Sequence, residues 1–132
     1  MKTSKDPRHL KRVRAIKELF AWNFSQNNQL NNHLTKKVVD NLAKIDSYIL
    51  RAAPNRPIKQ INRIDLAILR LAVLELVIET GTPYKVIVDE AVELAKEYGS
   101  DSSPGFVNGA LGYLIEMESI DHGTKRDNSS NC

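Results

Sequence analysis

The chain has 132 residues, 42% of them hydrophobic and 27% charged, with a formal net charge of +3 and a single cysteine, Cys132. That length and balance fit one globular domain with a core of its own. A lone cysteine excludes an internal disulfide and a thiolate metal cluster and fits a reducing compartment, with the cytoplasm as the default setting.

The basic start runs into an amphipathic segment, not an apolar one, so no signal peptide is expected. The net charge hides an asymmetry. Residues 1–18 carry Lys2, Lys5, Arg8, Lys11, Arg12, Arg14 and Lys17 against Asp6 and Glu18, a balance of +5, which leaves −2 on the rest. A basic arm on a mildly acidic body suggests a polyanionic partner, most often nucleic acid; a merely solvated N-terminus is the alternative.

Residues 1–7 read as a flexible basic arm ending in Asp6-Pro7, a cap and first-turn pair. From Arg8 to about Ser25, Leu10, Val13, Ile16, Phe20 and Phe24 recur at three- and four-residue steps, which predicts an amphipathic helix with these residues on its core face. Arg8, Lys11, Arg12 and Arg14 project from the other side. Ala15, Leu19 and Trp22 also fall on that outer arc, where either a second layer of helices covers them or they form an exposed strip. Gln26–Asn32 is a polar break. A second helix is expected from about His33 to Ala53, with Val38, Leu42, Ile45 and Ile49 on one stripe and Val39, Asp46 and Leu50 beside it, ended by Pro54. Residues 58–62 form a short helical lead.

The stretch Arg63–Gly81 is apolar nearly all round, as expected of a helix buried among others. Arg70 and Glu75 interrupt it, so it falls short of the ~20 apolar residues a membrane span needs. At about 100° per residue, Arg63 and Arg70 lie within roughly 20° of each other, and Asp65, Glu75 and Glu79 within about 80° on the opposite side. The expectation is one basic and one acidic edge reaching solvent or partners. Gly81, with Pro83 soon after, is a conventional stop.

Thr82-Pro83 restarts the chain as cap and first helical residue. The helix Pro83–Tyr98 places Ile87, Ala91, Leu94, Ala95 and Tyr98 on the core face and Asp89, Glu90, Glu93 and Glu97 on an acidic side. Ser103-Pro104 repeats the cap-and-proline pattern before a last helix running to about Met117. Gly105, Gly109 and Gly112 share one face of it and cost about 1 kcal/mol each relative to alanine. Another helix backbone or a ligand approaching closely would explain them. Residues 119–132 are polar and expected to be disordered. Nothing alternates like a half-buried strand, so this is an all-α domain of about five helices over 8–118, with an arm at 1–7 and a tail at 119–132.

Chemistry of an active site is hard to find. His9, His33 and His122 stand singly in polar surroundings, without metal-ligand spacing. Phosphate-cradling loops and nucleophile elbows are missing. Asp89 and Glu90 are adjacent and diverge on a helix, where carboxylates near an N-terminus complement its dipole. No polar recognition helix follows a tight turn, as DNA binding by a helix-turn-helix requires. The expectation is a protein that is not an enzyme and carries no cofactor or metal.

The stretches ILRLAVLEL (68–76), PYKVIVDEAVELAK (83–96) and FVNGALG (106–112) resemble the NusB family of bacterial transcription antitermination factors. Arg12, Ala15, Leu19-Phe20 and Trp22 are similar to the family's arginine-rich opening and small–Leu–aromatic pattern, so the resemblance spans about residues 8–115. It implies a compact all-α fold of about five to seven helices in two packed helical subdomains. It also implies binding to boxA-type single-stranded RNA together with a NusE-type small-subunit ribosomal protein, within the transcription elongation complex. The RNA-contacting role would fall to Lys5, Arg8, Lys11, Arg12 and Arg14, with Asn108 and Tyr113 as candidates on the last helix. For Asn108 a helix-to-helix hydrogen bond in the core is the competing expectation, and for Tyr113 ordinary packing. The protein partner would dock near Phe20, Glu75 and Glu79. The segment between the first and central helices is shorter than in typical members, and Gly112 stands where several relatives carry an aspartate. A similar domain opens certain ribosomal RNA cytosine methyltransferases, but no cofactor-binding α/β domain follows here. The alternative is a NusB-like rRNA-binding or protein-interaction module without an antitermination role.

Overall fold

A computed structural model describes residues 6–26 and 29–118; Lys5, most of the expected arm and the expected tail lie outside the described residues. Six α-helices, and no strand, are found among the described residues: α1 (Pro7–Phe24), α2 (His33–Asp40), α3 (Leu42–Ala52), α4 (Arg63–Val73), α5 (Tyr84–Tyr98) and α6 (Ser103–Glu118). A 3-10 turn at Ile58–Gln60 leads into α4.

Local signals account for most of these boundaries. The Asp6 carboxylate accepts from the Arg8 amide at 2.9 Å, and Pro7 supplies the first turn of α1. That amide holds the Asp6 carboxyl below the usual carboxylate range. Asn62 does the same for α4, accepting from the amides of Ile64 at 2.9 Å and Asp65 at 3.4 Å. Two expected caps are shifted. Pro83 itself stands at the cap position of α5, so Thr82 does not cap it. Ser103 is already helical: the Phe106 amide donates to the Ser102 carbonyl at 3.1 Å, and the Ser103 hydroxyl turns back to accept from the Ser100 amide at 2.9 Å.

That turn is tight. A Cβ on Gly99 would lie 2.5 Å from both Cβ and Oγ of Ser103 and 2.8 Å from the Ala95 carbonyl oxygen. Gly99→Ala is therefore expected to cost about 1–3 kcal/mol through overpacking, read as a lower urea midpoint. A shift under about 0.5 kcal/mol, the size of an ordinary surface change, would show that the α5–α6 corner relaxes freely.

The helix expected over 33–53 is two helices. Asn41 breaks it, with φ −116° and ψ 23°, because its side-chain amide bonds the Lys37 carbonyl at 2.8 Å and closes α2. The central helix also changes character. After Val73 it widens into a π-helical segment, Leu74–Ile78, where the Glu79 amide donates to the Leu74 carbonyl five residues back at 2.7 Å. Side chains beyond Leu74 therefore leave the 100° phase of the preceding helix, and the single acidic edge does not form. Asp65 and Glu75 are buried and Glu79 is about one-third exposed. Nor does the basic edge reach solvent at Arg70, which is buried and forms a two-pronged pair with Asp46 of α3, both bonds 2.9 Å.

The α4 helix touches α1, α2, α3, α5 and α6 and is the hub of the fold. The α1–α2 pair packs on one part of it and the α5–α6 pair on another, with α3 reaching both α4 and α6. One continuous core runs through the helices, containing Ile16, Leu19, Val38, Ile45, Leu71, Leu74, Leu94 and Leu111. The face of α1 that enters it matches the expected one only at Val13 and Ile16, which are buried. Ala15, Leu19 and Trp22 are buried, whereas Leu10, Phe20 and Phe24 are exposed, because the inward arc includes two polar residues, His9 and Arg12. Tyr98, expected in the core, is also exposed. No helix among the described residues is long and apolar enough to cross a membrane.

Candidate nucleic-acid interface

The basic residues of α1 divide between two faces. Arg8, Lys11 and Arg14, at three-residue steps, lie on one exposed face. Arg12, one turn beyond Arg8, points inward and is 8% exposed. Its Nε donates to Glu75 Oε2 at 2.8 Å and its Nη2 to Glu75 Oε1 at 2.7 Å, while Nη1 reaches Glu90 Oε1 at 3.5 Å. Hydrogen bonding to Glu75, with the Glu75 and Glu90 charges behind it, holds this guanidinium above its ordinary pKa against the opposing effect of burial. His9 joins the cluster, with Nδ1 3.3 Å from Glu90 Oε1 and Nε2 3.3 Å from Glu97 Oε1.

Two expectations are corrected by this arrangement. Arg12 does not project with its neighbours, and Glu75 does not stand on a solvated edge; each is the other's buried counter-ion. Glu90, expected on an acidic outer side, is 1% exposed. Sequence reasoning missed His9 and Glu90 because nothing in the local pattern separates Glu90 from Glu93, which is exposed one turn away. Their partners come from another helix.

The start of α2 is tied down beside the exposed basic face of α1. Glu18 accepts from the amides of Asn31 and Asn32, both at 3.1 Å, and Asn32 Nδ2 donates to the Lys11 carbonyl at 3.1 Å. His33 and Lys37, four residues apart on one side of α2, follow directly. Lys37 pairs with Glu79 at the end of the π-helical segment. The Lys37 hydrogen bond holds the Glu79 carboxyl below its usual range, against some desolvation, with smaller help from the charges of Lys37, His33 and Lys11.

Farther along α1, Phe20 and Phe24 form an exposed edge-to-face pair with ring centres 5.1 Å apart, and Lys17 lies over the Tyr98 ring at 5.5 Å. Asn108 and Tyr113 are exposed on α6, so neither the core hydrogen bond considered for Asn108 nor full packing of Tyr113 is what forms. A Cβ added to Gly105, Gly109 or Gly112 meets nothing within 4 Å, so no helix of the described chain approaches that face. The α5 helix separates α1 from α6. Glu90 and Glu97 on one flank reach His9 of α1, and Tyr84 and Val88 on the other line an open hollow of about 420 Å³ with Gly112 and Glu116 of α6. No group of three or more His, Cys, Asp and Glu is placed to hold a metal ion among the described residues.

Residues 9–116 match the NusB family. The chain is 51% identical over 78 residues to the transcription antitermination protein NusB of Roseiflexus castenholzii, covering 58% of this chain and 55% of that protein. It is 48% identical over 80 residues to the protein of the same name from Alkaliphilus oremlandii, covering 61% of this chain and 58% of that one. The matched stretch thus spans little more than half the length of these relatives. The fold is similar to that of T. maritima NusB, with a TM-score of 0.77 and 29% identity over 94% of this chain and 96% of that one.

Proposed function

The chain belongs to the NusB family, and on that premise we propose that it is an RNA-binding transcription antitermination factor and not an enzyme. It binds boxA-type single-stranded RNA together with a NusE-type small-subunit ribosomal protein and acts in the cytoplasm, within the elongation complex, on ribosomal RNA transcription.

The observation that carries this reading is the exposed basic face of α1, formed by Arg8, Lys11 and Arg14. Cations presented at one-turn intervals suit a phosphate backbone, and such contacts give affinity and salt dependence with little sequence information. Sequence preference comes from bases that stack and hydrogen-bond, for which Tyr113 and Asn108 of α6 are the available groups. Arg12 serves the RNA surface indirectly, by anchoring α1. Lys5 belongs to the same basic stretch of sequence. For the protein partner, Phe20 with Phe24 offers an exposed aromatic step and Glu79 a partly exposed carboxylate. Glu75 supports that surface from beneath, through Arg12.

The test is binding of a boxA-type RNA and a scrambled control, with and without the NusE-type protein. A preference for boxA that sharpens when the partner is present is the expected result. Equal, weak binding to both RNAs, unchanged by the partner, would leave a NusB-family fold with another task.

A further inference from the structure

The three-way junction of α1, α2 and the π-helical segment holds a charge cluster that shares only Lys11 with the α1 face. Lys11 comes from α1, His33 and Lys37 from α2, and Glu79 from the end of the central helix. Both ends of this junction are fixed: Asn32 binds the Lys11 carbonyl, and Lys37 binds Glu79. The other nearby carboxylate, Glu18, is committed to the Asn31 and Asn32 amides. Lys37 thus pairs with Glu79, the charges of His33 and Lys11 act on the same carboxylate from farther off, and the Lys37–Glu79 pair keeps more than a third of each side chain exposed. Lys11 also belongs to the Arg8–Lys11–Arg14 face, so the cluster continues that face onto α2 without a gap.

We propose that Lys11, His33 and Lys37 form a second phosphate-binding cluster that leads the RNA backbone from α1 onto α2, with Glu79 as the internal counter-ion that a phosphate displaces. This rests on the RNA-binding reading above. A solvent-exposed ion pair holds its partners weakly, because water screens both charges and two long side chains must be kept in one geometry. A phosphodiester arriving at Lys37 gains the same charge contact and, unlike Glu79, releases condensed counter-ions from the nucleic acid. Glu79 then acts as a built-in competitor that sets how tightly the extended surface binds. A pair that only fastened α2 to the central helix would behave differently: removing the carboxylate would loosen α2 and leave RNA affinity unchanged or lower.

The experiment measures binding of a boxA-type single-stranded RNA to the full chain at two salt concentrations, for the wild type, Glu79→Gln, Glu79→Gln/Lys37→Gln and Arg8→Ala/Arg14→Ala. One extra phosphate contact contributes about 0.7 to the slope of log affinity against log salt for a single strand, or about fivefold in affinity near 0.1 M salt. Glu79→Gln is expected to bind about fivefold more tightly with a correspondingly steeper salt dependence, and adding Lys37→Gln is expected to abolish the gain. Unchanged or weaker binding by Glu79→Gln, in a protein whose binding still falls in Arg8→Ala/Arg14→Ala, overturns the α2 cluster and leaves the α1 surface standing. A gain that survives Lys37→Gln overturns it as well, since Lys37 is then not the contact. RNA binding by none of the four proteins sinks this inference and the parent reading together.

Discussion

Arg12→Ala is expected to destabilise the fold by about 3–5 kcal/mol, the range for breaking a buried ion pair by removing one partner. The reason is the charge left behind. Glu75 is 7% exposed and Glu90 1% exposed, and the Arg12 guanidinium serves both. Without it two buried carboxylates lose the guanidinium they share, although His9 Nδ1 remains 3.3 Å from Glu90. Glu75→Ala should lose a comparable amount for the converse reason. The double change Arg12→Met/Glu75→Leu should recover only part of the loss, because apolar groups replace the Arg12–Glu75 pair at little net cost while Glu90 still loses the guanidinium. Urea denaturation of the three variants decides the matter. A loss below about 1 kcal/mol for Arg12→Ala, in the range of exposed pairs, would mean that water reaches this cluster.

Replacing Arg8, Lys11 and Arg14 together by alanine should have the opposite profile: small effects on stability and a large one on RNA. All three are exposed, and exposed substitutions of this kind usually fall within about 0.5 kcal/mol each. Three lost phosphate contacts at ~0.7 each lower the salt slope for a single strand by about 2 and the affinity near 0.1 M salt by on the order of 100-fold. The measurement is RNA affinity at several salt concentrations, alongside a urea curve to show that the variant is folded. An unchanged slope would remove the exposed face of α1 from the RNA surface. Four basic residues within one short stretch thus divide into three that stand exposed and one, Arg12, that is buried against carboxylates of other helices.

The positions of the helices were legible in the sequence, because short-range chemistry decides them. Asp6-Pro7 starts α1 and the Pro54–Pro57 turn ends α3, each through a hydrogen bond or backbone restriction between near neighbours. The unbroken apolar run from Leu66 to Leu69 and from Leu71 to Leu74 marks the buried hub for an equally plain reason, since no face of it is suited to water. The Asn41 break in α2–α3 was less legible, because asparagine is tolerated within a helix until its side chain finds a carbonyl to bond.

Which charged side chains are buried was decided only by the tertiary structure. Apolar periodicity placed Leu10, Phe20 and Phe24 inward and Arg12 outward, since a charge is normally kept in water. The fold reverses this by bringing Glu75 and Glu90 to Arg12 from 63 and 78 residues away, and Asp46 to Arg70 from 24. A buried guanidinium is tolerated only where a carboxylate meets it in hydrogen-bonding geometry, and that carboxylate's position depends on helix packing and, for Glu75, on the π-helical turn. Composition and spacing thus determined that the chain is helical, basic at its start and built around the stretch 63–81. Packing determined which of its charges are buried in pairs that hold the fold together and which are left exposed.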